Sequence, residues 1–231
     1  FSFLDIGAGT GSVIRDWFSL NGPRPQQYVA IEPNTHHSTP LRETIDRLGL
    51  DGQLLTDPFH GSFPQPGRFD LILFSHSLYW MSDPIACIRH AHTWLKPGGV
   101  VLAFLQGPFG FYSLFQQFNP LLNRNGPAGA QHGFSSHELV QGVRRHGLSP
   151  EVTFDPTSVD LTGLFDVGHE NERDEFISFV LQVEFGRLPE PIKSDVIQCL
   201  KAGCVDVDGR LIWHHPNVTV RLNAVPAVSA H

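Results

Sequence analysis

Three glycines near the start of the chain could hold a ligand against bare backbone. Gly7, Gly9 and Gly11 follow the apolar run Phe3-Leu-Asp-Ile6, which is too short for an amphipathic helix and is typical of a buried strand. Glycine lets the chain turn tightly and approach a ligand with no side chain in the way. The spacing is one residue tighter than the glycine turn that binds the pyrophosphate of dinucleotides. It therefore predicts a ligand site without requiring a phosphate.

Two acidic residues further along could complete a nucleoside site. Glu32 closes the apolar run that begins at Tyr28 and lies 25 residues after Gly7 (32 − 7). A carboxylate at the end of a second strand can accept hydrogen bonds from both hydroxyls of a ribose. The alternative for Glu32 is an ordinary surface carboxylate, but the order of strand, glycine turn, helix and strand-end Glu favours a ligand. Asp57 follows a third short run and could accept from an adenine amino group.

The hydropathy pattern predicts the elements that must position these residues. After the first three short strands, strands are predicted at 68–75, 100–105, 151–154 and 210–213, by their short apolar or alternating runs. Helical spacing covers 83–94, 135–145 and, as an insertion, about 160–203. Lys96–Gly99 predicts a turn, and the Asn-, Pro- and Gly-rich stretch 119–133 predicts a loop.

Four segments resemble, in order, the motifs of class I S-adenosylmethionine-dependent methyltransferases. They are 4–11, 30–33, 69–74 and 95–100, and the resemblance covers about residues 1–106. It implies an α/β fold with a doubly wound Rossmann-like sheet, helices on both faces, and S-adenosylmethionine as cofactor. In that family the glycine turn passes under the methionine part of the cofactor and the second-strand acid holds the ribose. The cofactor-binding residues that the resemblance implies are Asp5, Gly7, Gly9, Gly11, Glu32, Asp57 and Ser75.

The second half is similar in segment order to histamine N-methyltransferases. The segments are 74–81, 107–115, 135–148 and 211–220. Their aromatic character is retained, but the polar groups that would recognise an imidazole amine differ. The resemblance therefore implies the fold and a small-molecule site without that substrate. The substrate-binding residues expected on this basis are Tyr79, Trp80, Phe111, Phe115 and, less strongly, His215.

His76 is the candidate catalytic residue, because it directly follows the fourth strand, where the resemblance places the reacting centre. An imidazole with an ordinary pKa of about 6.5 can accept a proton near neutral pH. The alternative is a histidine held by a neighbouring carbonyl.

Composition limits the remaining possibilities. The chain has 231 residues, 41% of them hydrophobic and 17% charged, with a net charge of −7. We expect one methyltransferase domain, 1–231, with a cofactor half (1–106), a substrate half (107–231) and an N-terminal helical cap missing before Phe1. The absence of a basic stripe argues against nucleic acid, and no apolar run is long enough for a membrane span. Three cysteines favour the reducing cytoplasm, and the thirteen histidines lack the companions of a metal site.

Three functions remain open at this point. The leading one is methyl transfer to a nitrogen, or an oxygen, of a small molecule such as an amine or secondary metabolite, by a monomer. A methyltransferase-fold protein with a regulatory or non-methylating role is the second. A nicotinamide-dependent oxidoreductase is the third, and the tight glycine spacing disfavours it.

Overall fold

The computed structural model describes residues 1–122 and 134–224. Within these ranges the chain forms ten strands and seven α-helices. The strands are β1 Ser2–Ile6, β2 Gln27–Ile31, β3 Gly52–Leu55, β4 Phe69–Ser75, β5 Leu95–Gln106, β6 Glu151–Asp155, β7 Ser158–Asp160, β8 Cys204–Val207, β9 Arg210–His214 and β10 Asn217–Asn223. The helices are α1 Ser12–Ser19, α2 Thr35–Arg47, α3 Pro84–His92, α4 Phe111–Leu122, α5 Ser136–Arg145, α6 Glu170–Leu181 and α7 Glu190–Ala202.

Seven strands form the main sheet, in the order β3-β2-β1-β4-β5-β10-β6. β1 pairs in parallel with β2 and β4, β2 with β3, and β4 with β5. The predicted α/β sheet is therefore confirmed. Parallel pairing brings the carboxyl ends of β1, β2 and β4 to one edge, where ligands bind in such sheets.

The central strands are buried, so their polar residues need partners inside the protein. Ser2 donates from its backbone N–H and from its hydroxyl to Asp70 Oδ2, over 2.7 and 2.9 Å. Lys96 Nζ lies 2.8 Å from the same oxygen. These bonds tie β1, β4 and β5 together and lower the pKa of Asp70 to about 2, mainly through the hydrogen bond from Lys96.

The chain divides into two compact units. The first contains Phe1–Leu105, Glu138–Thr153 and the described part of Thr219–His231. Its core joins β1 and β2 to the inner faces of α1 and α2 through Phe3, Ile14, Tyr28, Leu41 and Ile45.

The second unit contains the described part of Gln106–His137 together with Phe154–Val218. Its core packs α4, α6 and α7 against Trp213 of β9, through residues such as Phe118, Ile177 and Leu200. A separate antiparallel sheet of order β7-β9-β8 belongs to this unit.

Most predicted elements are found, with several differences. The helical region predicted at 160–203 contains α6 and α7. The strand predicted at 210–213 is β9, the middle strand of the three-stranded sheet, whereas β7, β8 and β10 were not predicted. β5 begins at Leu95, with a register irregularity opposite β4, where a turn was predicted. α4 continues to Leu122, so the loop predicted from residue 119 was wrong up to that point, and 123–133 lie outside the described residues. The prediction of a single domain stays a prediction.

Candidate active site

The glycine turn has the backbone geometry that its sequence predicts. Gly7, Gly9 and Gly11 have φ values of 74°, 56° and 80°, in the left-handed region that favours glycine. A side chain at Gly7 would place its Cβ 2.3 Å from Cβ of Ser77, whereas one at Gly9 would meet no atom within 4 Å. The turn is thus packed against protein at Gly7 and leaves space at Gly9.

Glu32 lies beside this space and is bound to the turn. Its Oε2 accepts from the backbone N–H of Gly9 over 2.8 Å, and its Oε1 accepts from that of Asn34 over 2.9 Å. His37 Nδ1 lies 3.9 Å from Oε1. The residue is only 6% exposed. Because each carboxylate oxygen can accept more than one hydrogen bond, Glu32 keeps acceptor capacity for a ligand.

These residues line a cavity of about 540 Å³. Its wall comes from the ends of β1, β2 and β4 and from the segments that follow them. The lining residues are Ile6, Gly7, Gly9, Ile31, Glu32, Pro33, Asn34, His37, Pro58, Phe59, Ser75, His76, Ser77, Trp80 and Met81. All of them belong to the first unit. The volume is that of a small-molecule site, and the mixture of bare backbone, apolar side chains and one buried carboxylate is typical of such sites.

His76 is held in this wall by an unusual backbone conformation. Its φ is 51°, and its N–H donates to the carbonyl of Phe104 over 2.9 Å. A non-glycine residue in the left-handed region costs free energy and is often found at functional sites. His76 is exposed, and partial desolvation of its imidazole lowers its pKa. The lowered pKa favours the neutral form of the ring, which can accept a proton.

Several residues that line the cavity were not predicted from the sequence. Ser77 donates from its hydroxyl to the carbonyl of Ile6 over 2.6 Å and fills the space beside Gly7. Asn34 caps α2 by accepting from the N–H of His36 over 3.0 Å. Asn34, a residue type that often begins a helix, directly follows Glu32 and Pro33, and this was the sequence feature from which its place in the cavity wall could have been predicted. Phe59 lies shortly after β3, two residues beyond Asp57, and its place in the cavity wall was not predicted.

Asp5 takes a different position from the one expected of a direct cofactor contact. It is 1% exposed and is not a lining residue of the cavity. Its Oδ2 accepts from the hydroxyl of Tyr28 over 3.0 Å, while Oδ1 is buried with no hydrogen-bond partner among the described residues. Burial, with a smaller contribution from the charge of Glu32, raises the pKa of Asp5 to about 7.

Two other predicted residues lie outside the lining. Asp57 is exposed just beyond β3, while the next residues, Pro58 and Phe59, line the cavity. Tyr79 does not line the cavity, but its hydroxyl lies 3.4 Å from His76 Nδ1. Trp80 does line it and is 64% exposed.

The remaining substrate candidates belong to the second unit. The ring of Phe111 stacks on His215 with centroids 3.8 Å apart and meets Trp213 edge-on at 4.9 Å. Gly110 has a φ of 64°, and a Cβ there would lie 3.0 Å from His215 Nδ1, so the loop approaches the imidazole closely. Phe115 is buried. Phe111, Trp213 and His215 thus form an aromatic cluster. The role of Phe111, Phe115 and His215 in substrate binding stays a prediction.

Neither a metal site nor a membrane-spanning helix is found among the described residues. No group of three or more His, Cys, Asp or Glu side chains in them is arranged to hold a metal ion. No helix in the described ranges is long and apolar enough to span a membrane.

Fold and cavity together define a class of protein: a doubly wound sheet with a nucleoside-type site beside the first glycine turn. The sequence model of the methyltransferase domain family matches residues 2–151, which is more than half of the chain. The chain belongs to the methyltransferase domain family. This result sets aside the nicotinamide-dependent oxidoreductase.

Individual proteins are only distantly similar. The mitochondrial arginine-hydroxylase NDUFAF5 of Rattus norvegicus is 24% identical over 198 residues, which are 86% of this chain and 48% of that protein. The chain thus spans about half the length of this curated relative. The structure of the Bacillus subtilis YcgJ protein matches with a TM-score of 0.63 at 16% identity, covering 96% of this chain and 91% of that one. The plantazolicin methyltransferase BamL, solved with S-adenosylhomocysteine (SAH), matches with a TM-score of 0.53 at 14% identity, covering 97% and 77%.

The cofactor is S-adenosylmethionine, and the cavity fits it. The space above Gly9, the buried acceptor Glu32 and the volume of about 540 Å³ suit a ligand of nucleoside and amino-acid parts. Gly7, Gly9, Glu32 and Ser75, all expected from the sequence to bind the cofactor, line this one cavity.

Proposed function

We propose that the chain transfers a methyl group from S-adenosylmethionine to a nitrogen of a small molecule, with an oxygen as the less favoured acceptor. One observation carries the proposal: the imidazole of His76 lies in the wall that also contains Gly7, Gly9 and Glu32. A potential proton acceptor is thus in the same cavity as the residues that fit the cofactor. The resemblance to histamine N-methyltransferases supports nitrogen, and that narrower relation stays a prediction.

For methyl transfer, the protein must align the substrate with the cofactor and provide a deprotonated nucleophile. The bound cofactor supplies the electrophilic methyl group. His76 accepts the proton of the attacking group at a ring nitrogen, and the lowered pKa keeps that nitrogen free near neutral pH. The face of Trp80, which lines the cavity, attracts a cationic amine.

The other site roles form part of the proposal. Glu32 holds the ribose, and the glycine turn lies under the methionine part. Ser75 lines the cofactor, Asp57 is near adenine, and Asp5 contributes to cofactor binding. Tyr79, Phe111, Phe115 and His215 are proposed to contribute to substrate binding on the strength of the resemblance.

The test is methyl transfer itself. The protein is incubated with S-adenosylmethionine carrying a labelled methyl group and a panel of small amines, phenols and alcohols, and labelled product and SAH are measured. We expect transfer to an amine and a 10²–10⁴-fold lower turnover for His76→Ala, the range for a lost general base. His146→Ala, which removes an exposed histidine at the end of α5, is the matched control. Full activity of His76→Ala would contradict the proposed base.

A second candidate is a non-methylating or regulatory role with retained cofactor binding. The name of the rat relative, an arginine-hydroxylase, favours it. Tight binding of S-adenosylmethionine by calorimetry, with no SAH formed from any acceptor in the panel, would support this alternative.

The proposal includes a small-molecule partner, no nucleic acid and a monomer. The expected cytoplasmic location stays a prediction, and the name of the rat relative places that protein in mitochondria.

A further inference from the structure

The segment that carries His76 is hydrogen-bonded to the strands on either side of β4, which are β1 and β5. The N–H of His76 bonds to the carbonyl of Phe104, and the hydroxyl of Ser77 bonds to that of Ile6. A short 3-10 helix, Leu78–Trp80, follows at once, with the N–H of Trp80 bonding to the carbonyl of Ser77 over 3.2 Å. The backbone from Ser75 to Trp80 is therefore fixed to two neighbouring strands of the sheet.

This short helix places Tyr79 three residues after His76 and on the same side. The two rings lie 6.3 Å apart at 34°, and the Tyr79 hydroxyl is 3.4 Å from Nδ1. Among the described residues, the Tyr79 hydroxyl is the polar group in contact with the His76 imidazole, at Nδ1. Nε2 has no hydrogen-bond partner among these residues. A contact of this length is weak as it stands, and such bonds often tighten when a substrate binds.

We propose that Tyr79 is a positioning residue for His76, and that its hydroxyl oxygen accepts from Nδ1–H so that Nε2 keeps its lone pair for the substrate. Neutral imidazole carries one proton, and the nitrogen that holds it is set by the hydrogen bond of the other. Without an acceptor at Nδ1, the proton favours Nε2, as in an unconstrained histidine side chain, and Nε2 then has no lone pair for the substrate proton. The proposal rests on the proposed function for its catalytic meaning, while the tautomer itself can be measured without any substrate.

The experiment is long-range ¹⁵N NMR of the histidine rings in the whole protein, at a pH where they are neutral, with the His76 signals assigned from their loss in His76→Gln. We expect the Nδ1–H pattern in the wild type and a change of His76 alone towards Nε2–H in Tyr79→Phe. Tyr112→Phe removes a phenol on α4 and should leave the His76 pattern unchanged.

Two results would overturn the proposal. One is the Nε2–H form already dominant in the wild type, a measurement that does not depend on the folding of any variant. The other is the same pattern in the wild type and in Tyr79→Phe. If no methyl acceptor is ever found but the tautomer changes as expected, the positioning role stands and the proposed function fails.

Discussion

Glu32 performs two tasks with one carboxylate, because it binds the backbone of the glycine turn and faces the cavity. The sequence predicts the second task but not the first. A carboxylate already held by two backbone N–H groups is fixed in orientation before a ligand arrives, which lowers the entropy cost of binding.

We expect Glu32→Ala to weaken S-adenosylmethionine binding by at least tenfold. The lost hydrogen bonds to a charged acceptor contribute about 1.5–3 kcal/mol each, and the N–H of Gly9 loses its partner as well. Isothermal calorimetry measures the affinity, with Glu43→Ala on the exposed side of α2 as the control. Equal affinities for the two variants would contradict the ribose assignment.

Asp5 gives a second prediction at this scale, through its buried carboxyl. Its pKa in the folded chain, about 7, lies above the ordinary value of 3.8. Folding therefore favours the protonated form, and the stability that depends on it is complete below pH 4 and is lost as the pH rises through 7. The difference corresponds to about 4 kcal/mol.

Asp5→Asn keeps an oxygen acceptor for the Tyr28 hydroxyl and removes the charge. We expect it to match the wild type near pH 4 and to exceed its free energy of unfolding by several kcal/mol at pH 8, as measured by denaturant titration. Asp46→Asn, at an exposed position on α2, should not change the pH profile. Parallel profiles for wild type and Asp5→Asn would show that the carboxyl stays ionised.

At the scale of elements, the glycine turn contains one position that is packed against protein and another that faces open space. A methyl group at Gly7 meets Cβ of Ser77, whereas one at Gly9 enters open space. Gly98, in the irregular start of β5, has a φ of 79° and equally open surroundings, and it is not a lining residue of the cavity.

We expect Gly9→Ala and Gly98→Ala to lose similar stability, about 1–2 kcal/mol for the left-handed conformation. Only Gly9→Ala should lose cofactor affinity. Gly7→Ala should lose about 3 kcal/mol or more, because strain and a clash add. Thermal unfolding and calorimetry on the three variants measure both quantities. Retained affinity in Gly9→Ala would place the ligand elsewhere.

Local pattern predicts the order of the elements well, because short apolar strands alternate with helices bounded by caps. Asp83, for example, accepts from the N–H of Ala86 and begins α3 close to where the sequence places it. The two outer strands of the small sheet escape prediction, because β7 has three residues and β8 exposes Val205 and Val207. Strands this short are defined by pairing with β9 rather than by their own periodicity.

The site was predictable mainly where its residues stand at strand ends. Gly7, Gly9, Glu32, Ser75 and His76 end or follow β1, β2 or β4, and all of them line the cavity. Contacts made by folding over long sequence distances, such as that of Ser77 with Gly7, leave no local pattern. For the same reason, the burial of Asp5 and its hydrogen bond with Tyr28 were not predicted from the sequence.

At the scale of the whole molecule, two separate cores have different relations to the ligand. Every lining residue of the cavity belongs to the first unit, whose core is formed around β1, β2, α1 and α2. A ligand that binds only the folded form stabilises it by mass action. Cofactor choice can therefore be read from the thermal stability of the intact chain, with no substrate needed.

We expect S-adenosylmethionine and SAH at a hundred times their dissociation constants to stabilise the chain by about 2.7 kcal/mol, which raises the transition of the first unit by roughly 5–10 °C. NAD at equal concentration should leave it unchanged, because the turn is one residue tighter than that of dinucleotide sites. Gly9→Ala should abolish the shift and Gly98→Ala should retain it, so that a general effect of added solute is separated from binding. A shift with NAD that matches the shift with SAH would mean that the cavity recognises only the adenosine that the two ligands share, and Glu32 would then be the residue that carries the binding.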